Sequence, residues 1–238
     1  MVEFDRTASC TSLDNAILMF RDVTKALGVR DVVYGYMLES KSYVRQDACF
    51  SVTLSDELMA LDENSGGLST DPIASAIADA PSYYKVDIKD WLELDQGNER
   101  AQRPYIKGLL AAGYSSLYTF PFHDVELVGY GTMTLFQDES DKALRIDPTI
   151  LDPLVKKFHL KLKRSGLLAK LFSLSAKEVD TLRLTAAGKI AEDIATTDCV
   201  TPRTVELRLA KAREKLHARN STEAVFKAMA YGIIRDRS

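Results

Sequence analysis

Thr201-Pro202-Arg203-Thr204-Val205-Glu206-Leu207-Arg208-Leu209-Ala210-Lys211-Ala212-Arg213-Glu214-Lys215-Leu216 is the stretch from which the rest of this chain is read. A hydroxyl residue before a proline opens a helix. The threonine side chain caps a free amide, and the proline stands where its missing N–H costs nothing. Val205, Leu209, Ala212 and Leu216 recur on one stripe and predict a buried edge. Arg203, Leu207, Ala210, Lys211 and Glu214 fall on the opposite side, flanked by Glu206, Arg208 and Arg213. Upstream, residues 190–196 read as a short helix and 198–200 as a tight turn. Ser175-Ala176-Lys177-Glu178 is a capping box opening another helix, with Val179, Leu182 and Ala186 on its buried face and Gly188 as its stop. A last helix starts at 221 or 222, reaches 231 and ends at Gly232. Residues 174–238 therefore read as a four-helix unit, large enough to fold by itself.

Two short helices joined by a three-residue turn form a helix-turn-helix, and the second bears Arg203, Arg208, Lys211, Arg213 and Lys215. Such a helix fits the roughly 12 Å-wide major groove of DNA with its cations on phosphates. On charge alone, an amphipathic helix with a solvated face is the simpler reading. The capped start, the turn and the buried period together favour the groove. Charge is divided accordingly: residues 174–238 hold 12 basic and 9 acidic side chains, net +3, and the remainder holds 19 and 25, net −6. A basic module on an acidic body points to a polyanion partner.

This unit resembles the LuxR-type DNA-binding domain. Leu174-Ser175-Ala176-Lys177-Glu178-Val179 is similar to its opening, and residues 187–195 to its Gly-Lys-x-x-x-Glu-Ile-Ala segment. Thr204-Val205, Lys215-Leu216, Asn220, Ala224-Val225 and Gly232-Ile233-Ile234 fall at the spacings of its later motifs. The resemblance implies DNA binding through 203–211. Glu206, Leu207 and Ala210 would lie nearest base edges, Thr204 beside them, and Arg203, Arg208 and Lys211 on phosphates or flanking positions. Three residues depart from the family pattern. Glu206 replaces a commoner basic residue, Arg208 stands where the family often has His, and Asp198 replaces an apolar residue beside the turn. Asp198 reads most simply as exposed or as capping the helix that follows.

The body ahead of this unit alternates helices and strands. Residues 12–28 read as a helix stopped by Gly28, 32–38 and 49–54 as strands, and 62–71 as loop, with Asp71 an N-cap before Pro72. A helix over 98–112 precedes a hairpin of strands 115–123 and 127–136 around a turn at 124–126. Residues 148–163 are again helical, with Ile150, Leu151, Leu154, Val155, Phe158 and Leu162 on one side. That helix is a candidate for interdomain or dimer contact, or an ordinary core helix. The pattern predicts an α+β layered domain over 1–163 and a linker at 164–173.

The body resembles the autoinducer-binding domain of quorum-sensing LuxR-type regulators, an α/β/α sandwich around an antiparallel sheet. Thr70-Asp71-Pro72-Ile73, Pro81 with Tyr84, Gly113, Pro121 and 129–135 carry the likeness. It implies an acyl-homoserine lactone as ligand. Asp71 would accept from the ligand amide N–H in a charge-assisted hydrogen bond. Thr134 would lie near the acyl carbonyl, and Tyr84 beside the lactone. The family's tryptophan donor to the lactone carbonyl lands on Leu58 and its pocket tyrosine on Asp62, neither of which reproduces the family's contact. Tyr34, Tyr36 or Tyr43 would then supply the donor from a strand. Trp91, the sole tryptophan, reads as packing.

Cys10, Cys49 and Cys199 are odd in number and widely spaced, which fits reduced thiols better than disulfides. No apolar run approaches the ~18 residues that span a bilayer, and residues 1–6 lack signal-peptide character. A cytoplasmic location is expected, with no membrane partner. His123, His159 and Cys49 form no recognisable catalytic constellation, and no metal-ligand cluster or phosphate loop appears, so neither an enzyme nor a metal site is expected. The resulting expectation is a homodimeric regulator of a palindromic promoter site, without cofactor beyond a possible lactone. A ligand-independent regulator, and an antagonist that pairs with a related regulator without binding DNA, are the alternatives.

Overall fold

The computed structural model describes residues 10–38, 48–64, 82–94, 103–124, 129–138 and 147–234. Helix α1 (Leu13–Thr24) is capped by the Ser12 hydroxyl and ends through a 3-10 turn at Gly28, whose φ of 92° no β-carbon favours. Strands β1 (Val29–Leu38) and β2 (Ala48–Val52) follow, then α2 (Asp56–Asn64). Next come β3 (Tyr84–Asp87), α3 (Ile88–Leu94), α4 (Arg103–Ala111), β4 (Tyr114–Asp124) and β5 (Gly129–Asp138). The strands form an antiparallel sheet in the order β2-β1-β5-β4-β3.

Successive strand residues face opposite sides, so this register sorts the body into two layers. Val32, Tyr34, Tyr36, Tyr118, Phe120, Phe122, Met133 and Leu135 face α1 and α5 (Pro148–Ser165). Leu117 and Phe136 face α2, α3 and α4, together with Leu58, Trp91, Ile106 and Leu109. Sequence periodicity did not anticipate α2, β3 or α3, which are short and of mixed polarity. Residues 62–64, expected as loop, close α2. The expected loop beyond 64, the start of the helix at 98–102 and the centre of the 124–126 turn lie outside the described residues.

α5 buries Leu151, Val155, Phe158, His159 and Leu162, whereas Ile150, expected on the same side, is exposed because it falls beside the helix start rather than under the sheet. Gly166 (φ 74°) ends α5, and a helical turn α6 (Leu167–Lys170) follows directly. Leu167 and Leu168 pack into the α1/α5 core, so residues expected as linker contribute to the body.

The carboxy-terminal unit holds α7 (Ala176–Ala186), α8 (Ala191–Asp198), α9 (Pro202–Lys215) and α10 (Ser221–Ala230). It docks on the body. The Tyr36 hydroxyl donates to the Ala230 carbonyl at 3.3 Å, and Tyr231 meets Tyr36 edge-on at 6.0 Å and Phe172 at 4.6 Å.

Gly131 lies where Phe122 crosses β5. A β-carbon there would meet Phe122 Cε2 at 2.1 Å and the Gly35 carbonyl at 2.8 Å, and the Phe122 ring is held by His159 at 4.3 Å. Gly131→Ala is expected to cost about 2–3 kcal/mol through overpacking, read from denaturant unfolding of the full chain.

Candidate functional site

The helix-turn-helix is built by local chemistry on both sides of its turn. The Ser175 hydroxyl accepts from the Glu178 amide, and Glu178 accepts from the Ser175 amide at 2.8 Å, closing the expected capping box. Asp193 accepts from the Ile190 amide at the start of α8. Cys199 takes the left-handed conformation (φ 52°, ψ 46°) that ends α8, and Thr201 caps α9 by accepting from the Thr204 amide at 3.2 Å.

Val205 and Ala212 of α9 are buried. Val205 packs with Ile194 and Ala195, and Ala212 and Leu216 with Leu182, Ala224 and Ala228. Ala186 of α7, expected inside, is exposed: it closes its helix next to Gly188, beyond the reach of α9 and α10. With its aliphatic stripe consumed, α9 presents Arg203, Glu206, Leu207 and Lys211 outward, and Thr204 and Ala210 are half-buried beside them. Leu207 is 48% exposed, a large apolar side chain on an otherwise charged edge. Arg203 and Glu206 approach at 3.5 Å, an exposed pair that contributes little to stability.

Two of the cations counted on this helix turn inward. The Lys215 ammonium donates to Glu178 at 2.8 Å and to the Ser173 carbonyl at 3.0 Å. Arg208 donates through Nη1 to Asp198 Oδ2 at 2.5 Å, with both side chains largely covered. Asp198 is therefore neither exposed nor a cap for α9. Sequence spacing put Arg208 near the outward face. Only the approach of α8 supplies the acid that draws it back.

The second candidate surface lies on the sheet. The pairing Tyr84↔Thr119, Thr119↔Thr134, Thr134↔Val33 sets these residues in one line across four strands, on the face toward α2, α3 and α4. Thr119 and Thr134 share a hydroxyl hydrogen bond of 2.9 Å. Leu58 is buried on this side, and Asp62, one helical turn further along α2, is half-buried. The structure thus brings Tyr84, Thr134 and Leu58 to one layer. Gly108 lets α4 approach α2 there, since a β-carbon would come within 2.7 Å of Leu61.

Tyr36 is not part of that group. Its even-numbered position on β1 turns it to the opposite face, against His159 at 4.7 Å and the Ala230 carbonyl. Tyr34 shares that face and bonds His159 Nδ1 at 2.9 Å. Asp71, Tyr43 and the Thr70–Ile73 motif lie outside the described residues. One feature of the layer carries no signal in the sequence. Thr119 is paired with Thr134 only by the hairpin register. As expected, Trp91 is a packing residue, 4% exposed and edge-on against Tyr105 at 6.3 Å, and its indole N–H has no hydrogen-bond partner among the described residues.

At the far end of the same face, Asp31 accepts from Tyr114 and Thr53, each at 2.7 Å, and Arg30 covers the Tyr114 ring at 4.3 Å. Burial, then the Asp31 hydrogen bond and charge, push the Tyr114 phenol well above its ordinary range, so it remains a donor. Among the described residues no cluster of His, Cys, Asp or Glu is arranged to hold a metal, and no helix is long and apolar enough to cross a membrane.

Residues 172–228 match the family model of bacterial regulatory proteins, luxR family. The carboxy-terminal unit is a helix-turn-helix domain of that family. The HTH-type quorum sensing-dependent transcriptional regulator RpaR of Rhodopseudomonas palustris is 44% identical over 62 residues, which span 26% of this chain and 26% of that protein. The structure of SdiA in complex with octanoyl-rac-glycerol superposes over 100% of this chain and 94% of its own, with a TM-score of 0.58 at 16% identity. Escherichia coli SdiA in a further structure covers 99% and 96%, with a TM-score of 0.52 at 18% identity. At these identities the likeness establishes a shared fold for the whole chain, an α+β body joined to a helical unit.

Glu178 tests how the helix-turn-helix is held. Burial opposes its charge, but hydrogen bonds from Lys215 and the Ser175 amide outweigh it and lower its pKa below the ordinary 4.5. A lowered carboxylate stabilises the fold above its unfolded pKa and ceases to do so as pH falls through its folded value. Glu178→Gln is expected to lower the melting temperature at pH 7, with the gap to wild type narrowing as pH falls below the ordinary 4.5. A gap that stays constant through that range sinks the assignment.

Proposed function

We propose that this protein is a transcriptional regulator of the quorum-sensing LuxR type, in which an acyl ligand on the body controls DNA binding by the carboxy-terminal unit. The reading divides the chain into a sensor over 1–163, a joint at 164–173 and a DNA-binding unit over 174–238. The observation that carries it is the split of α9: its aliphatic edge is buried and Arg203, Glu206, Leu207 and Lys211 are left outward, within a luxR-family domain. Arg203 and Lys211 contact phosphates. Glu206, Leu207 and Ala210 face base edges, where glutamate accepts from cytosine N4 and leucine meets a thymine methyl, and Thr204 sits beside them. The protein acts as a homodimer on two half-sites about one DNA turn apart, in the cytoplasm, and is not an enzyme.

The ligand lies on the sheet face of Tyr84 and Thr134, near Leu58 and Asp62, with Asp71 accepting from an amide N–H where the ligand has one. An acyl-homoserine lactone fits this role. RpaR is named as quorum sensing-dependent, which supports a small-molecule signal, and SdiA is described with octanoyl-rac-glycerol, which supports an acyl chain in it. Leu58 favours the second reading, a ligand-independent regulator, because its buried side chain offers no donor to a lactone carbonyl.

Fluorescence anisotropy with a duplex bearing an inverted repeat tests the DNA assignment. Affinity is expected to fall steeply with salt, and Arg203→Ala or Lys211→Ala to weaken all sequences alike, each reducing the salt slope by about 1. Glu206→Gln is expected to change preference among sequences instead. If none of these changes alters binding, that edge of α9 is not the interface.

The ligand assignment has its own reporter, because Trp91 is the sole tryptophan and is buried in the proposed ligand layer. N-octanoyl-homoserine lactone or octanoylglycerol is expected to shift its emission and raise the melting temperature. A probe at 100 times its Kd adds about 2.7 kcal/mol. If neither probe changes either signal, the ligand-independent reading stands.

A further inference from the structure

Two departures from the family pattern noted in the sequence, Asp198 and Arg208, prove to be partners. Arg208 Nη1 donates to Asp198 Oδ2, and the side chains are 17% and 14% exposed. Lys177 of α7 approaches the same carboxylate oxygen at 3.9 Å. Asp198 is the last residue of α8, where the helix dipole disfavours a carboxylate. An acid there is stable because cations from α9 and α7 surround it. The pair also straddles the tightest point of the motif, Cys199, a non-glycine residue at φ 52°.

We infer that Asp198 is a positioning residue that draws Arg208 inward and fixes the angle of α9 across the turn, so that Arg208 serves the recognition helix as a staple and not as a phosphate contact. The inference rests on the DNA-binding reading above. Its chemistry is self-consistent. Moving Arg208 to a phosphate would leave the Asp198 carboxylate at a helix carboxy terminus with only the more exposed Lys177 beside it. With the pair closed, Asp198 carries no uncompensated negative charge toward an approaching duplex, and the outward edge keeps Arg203 and Lys211 for the backbone.

The test uses the full chain and a duplex pool of randomised sequence over a salt series. Asp198→Asn and Arg208→Met are each expected to weaken binding roughly tenfold, and the double variant no further than either alone, because both remove one interaction. The slope of log affinity against log salt is expected to remain that of wild type. A slope reduced by about 1 in Arg208→Met marks a released phosphate contact and overturns the inference. So does tighter binding by Asp198→Asn, which means that the acid merely restrained an arginine otherwise free to reach DNA.

Hydrogen exchange without DNA separates the staple from the regulator reading. Asp198→Asn is expected to speed exchange of amides 199–205 while 221–230 stays as in wild type. Unchanged exchange at 199–205 overturns the staple whatever the duplex does. If exchange responds but the wild type binds no duplex, the DNA-binding reading falls, and with it any role for the pair in placing α9 on DNA.

Discussion

The outward edge of α9 exists because the other edge is spent. Val205, Ala212 and Leu216 are enclosed by α7, α8 and α10, and this burial fixes the rotation of the helix about its axis. A helix of this length is marginal by itself, so packing sets its orientation more than propensity does. Once that rotation is set, the side chains left for solvent follow without further choice. The caps at Ser175 and Thr201 and the left-handed Cys199 serve the same end by stopping and restarting the chain where the stripe requires it.

In the body the corresponding constraint is strand parity. Because neighbouring residues point to opposite faces, one register decides which of two chemistries each side of the sheet receives. The α2/α3/α4 side holds a line of hydroxyl and aromatic residues, Tyr84, Thr119 and Thr134, with the indole N–H of Trp91, unpartnered among the described residues, in the same layer. The α1/α5 side holds Tyr34, Tyr36, His159 and Phe122, and it receives Tyr231 of the helix-turn-helix unit. The sheet therefore separates the proposed ligand layer from the contact with the helix-turn-helix unit.

Legibility in the sequence followed the strength of local signals. Helix α1, the long α5, the hairpin strands and all four helices of the carboxy-terminal unit announced themselves through period, cap or glycine stop. Short elements with mixed polarity did not: α2 is bounded by acidic residues, and β3 passes straight into α3. Hairpin register was equally hidden. A turn centred on Val125 would have set Thr134 opposite Ser116, whereas strands that end at Asp124 and resume at Gly129 set it opposite Thr119. Ile150 and Ala186 sat on the expected stripes yet are exposed, because each lies in the terminal turn of its helix, past the neighbour that would have covered it.

What the chain's order of residues determined by itself was the set of elements with strong local codes, and with them the helix-turn-helix and its cationic helix. Those codes act within four residues, through caps, periodicity and backbone preference. Which cations remained outward, which face received Tyr36, and that Asp198 and Arg208 belong together were decided only by tertiary structure. Each depends on groups ten or more residues apart in sequence, and hydrogen bonds and ion pairs at such separations are chosen by how helices and strands pack.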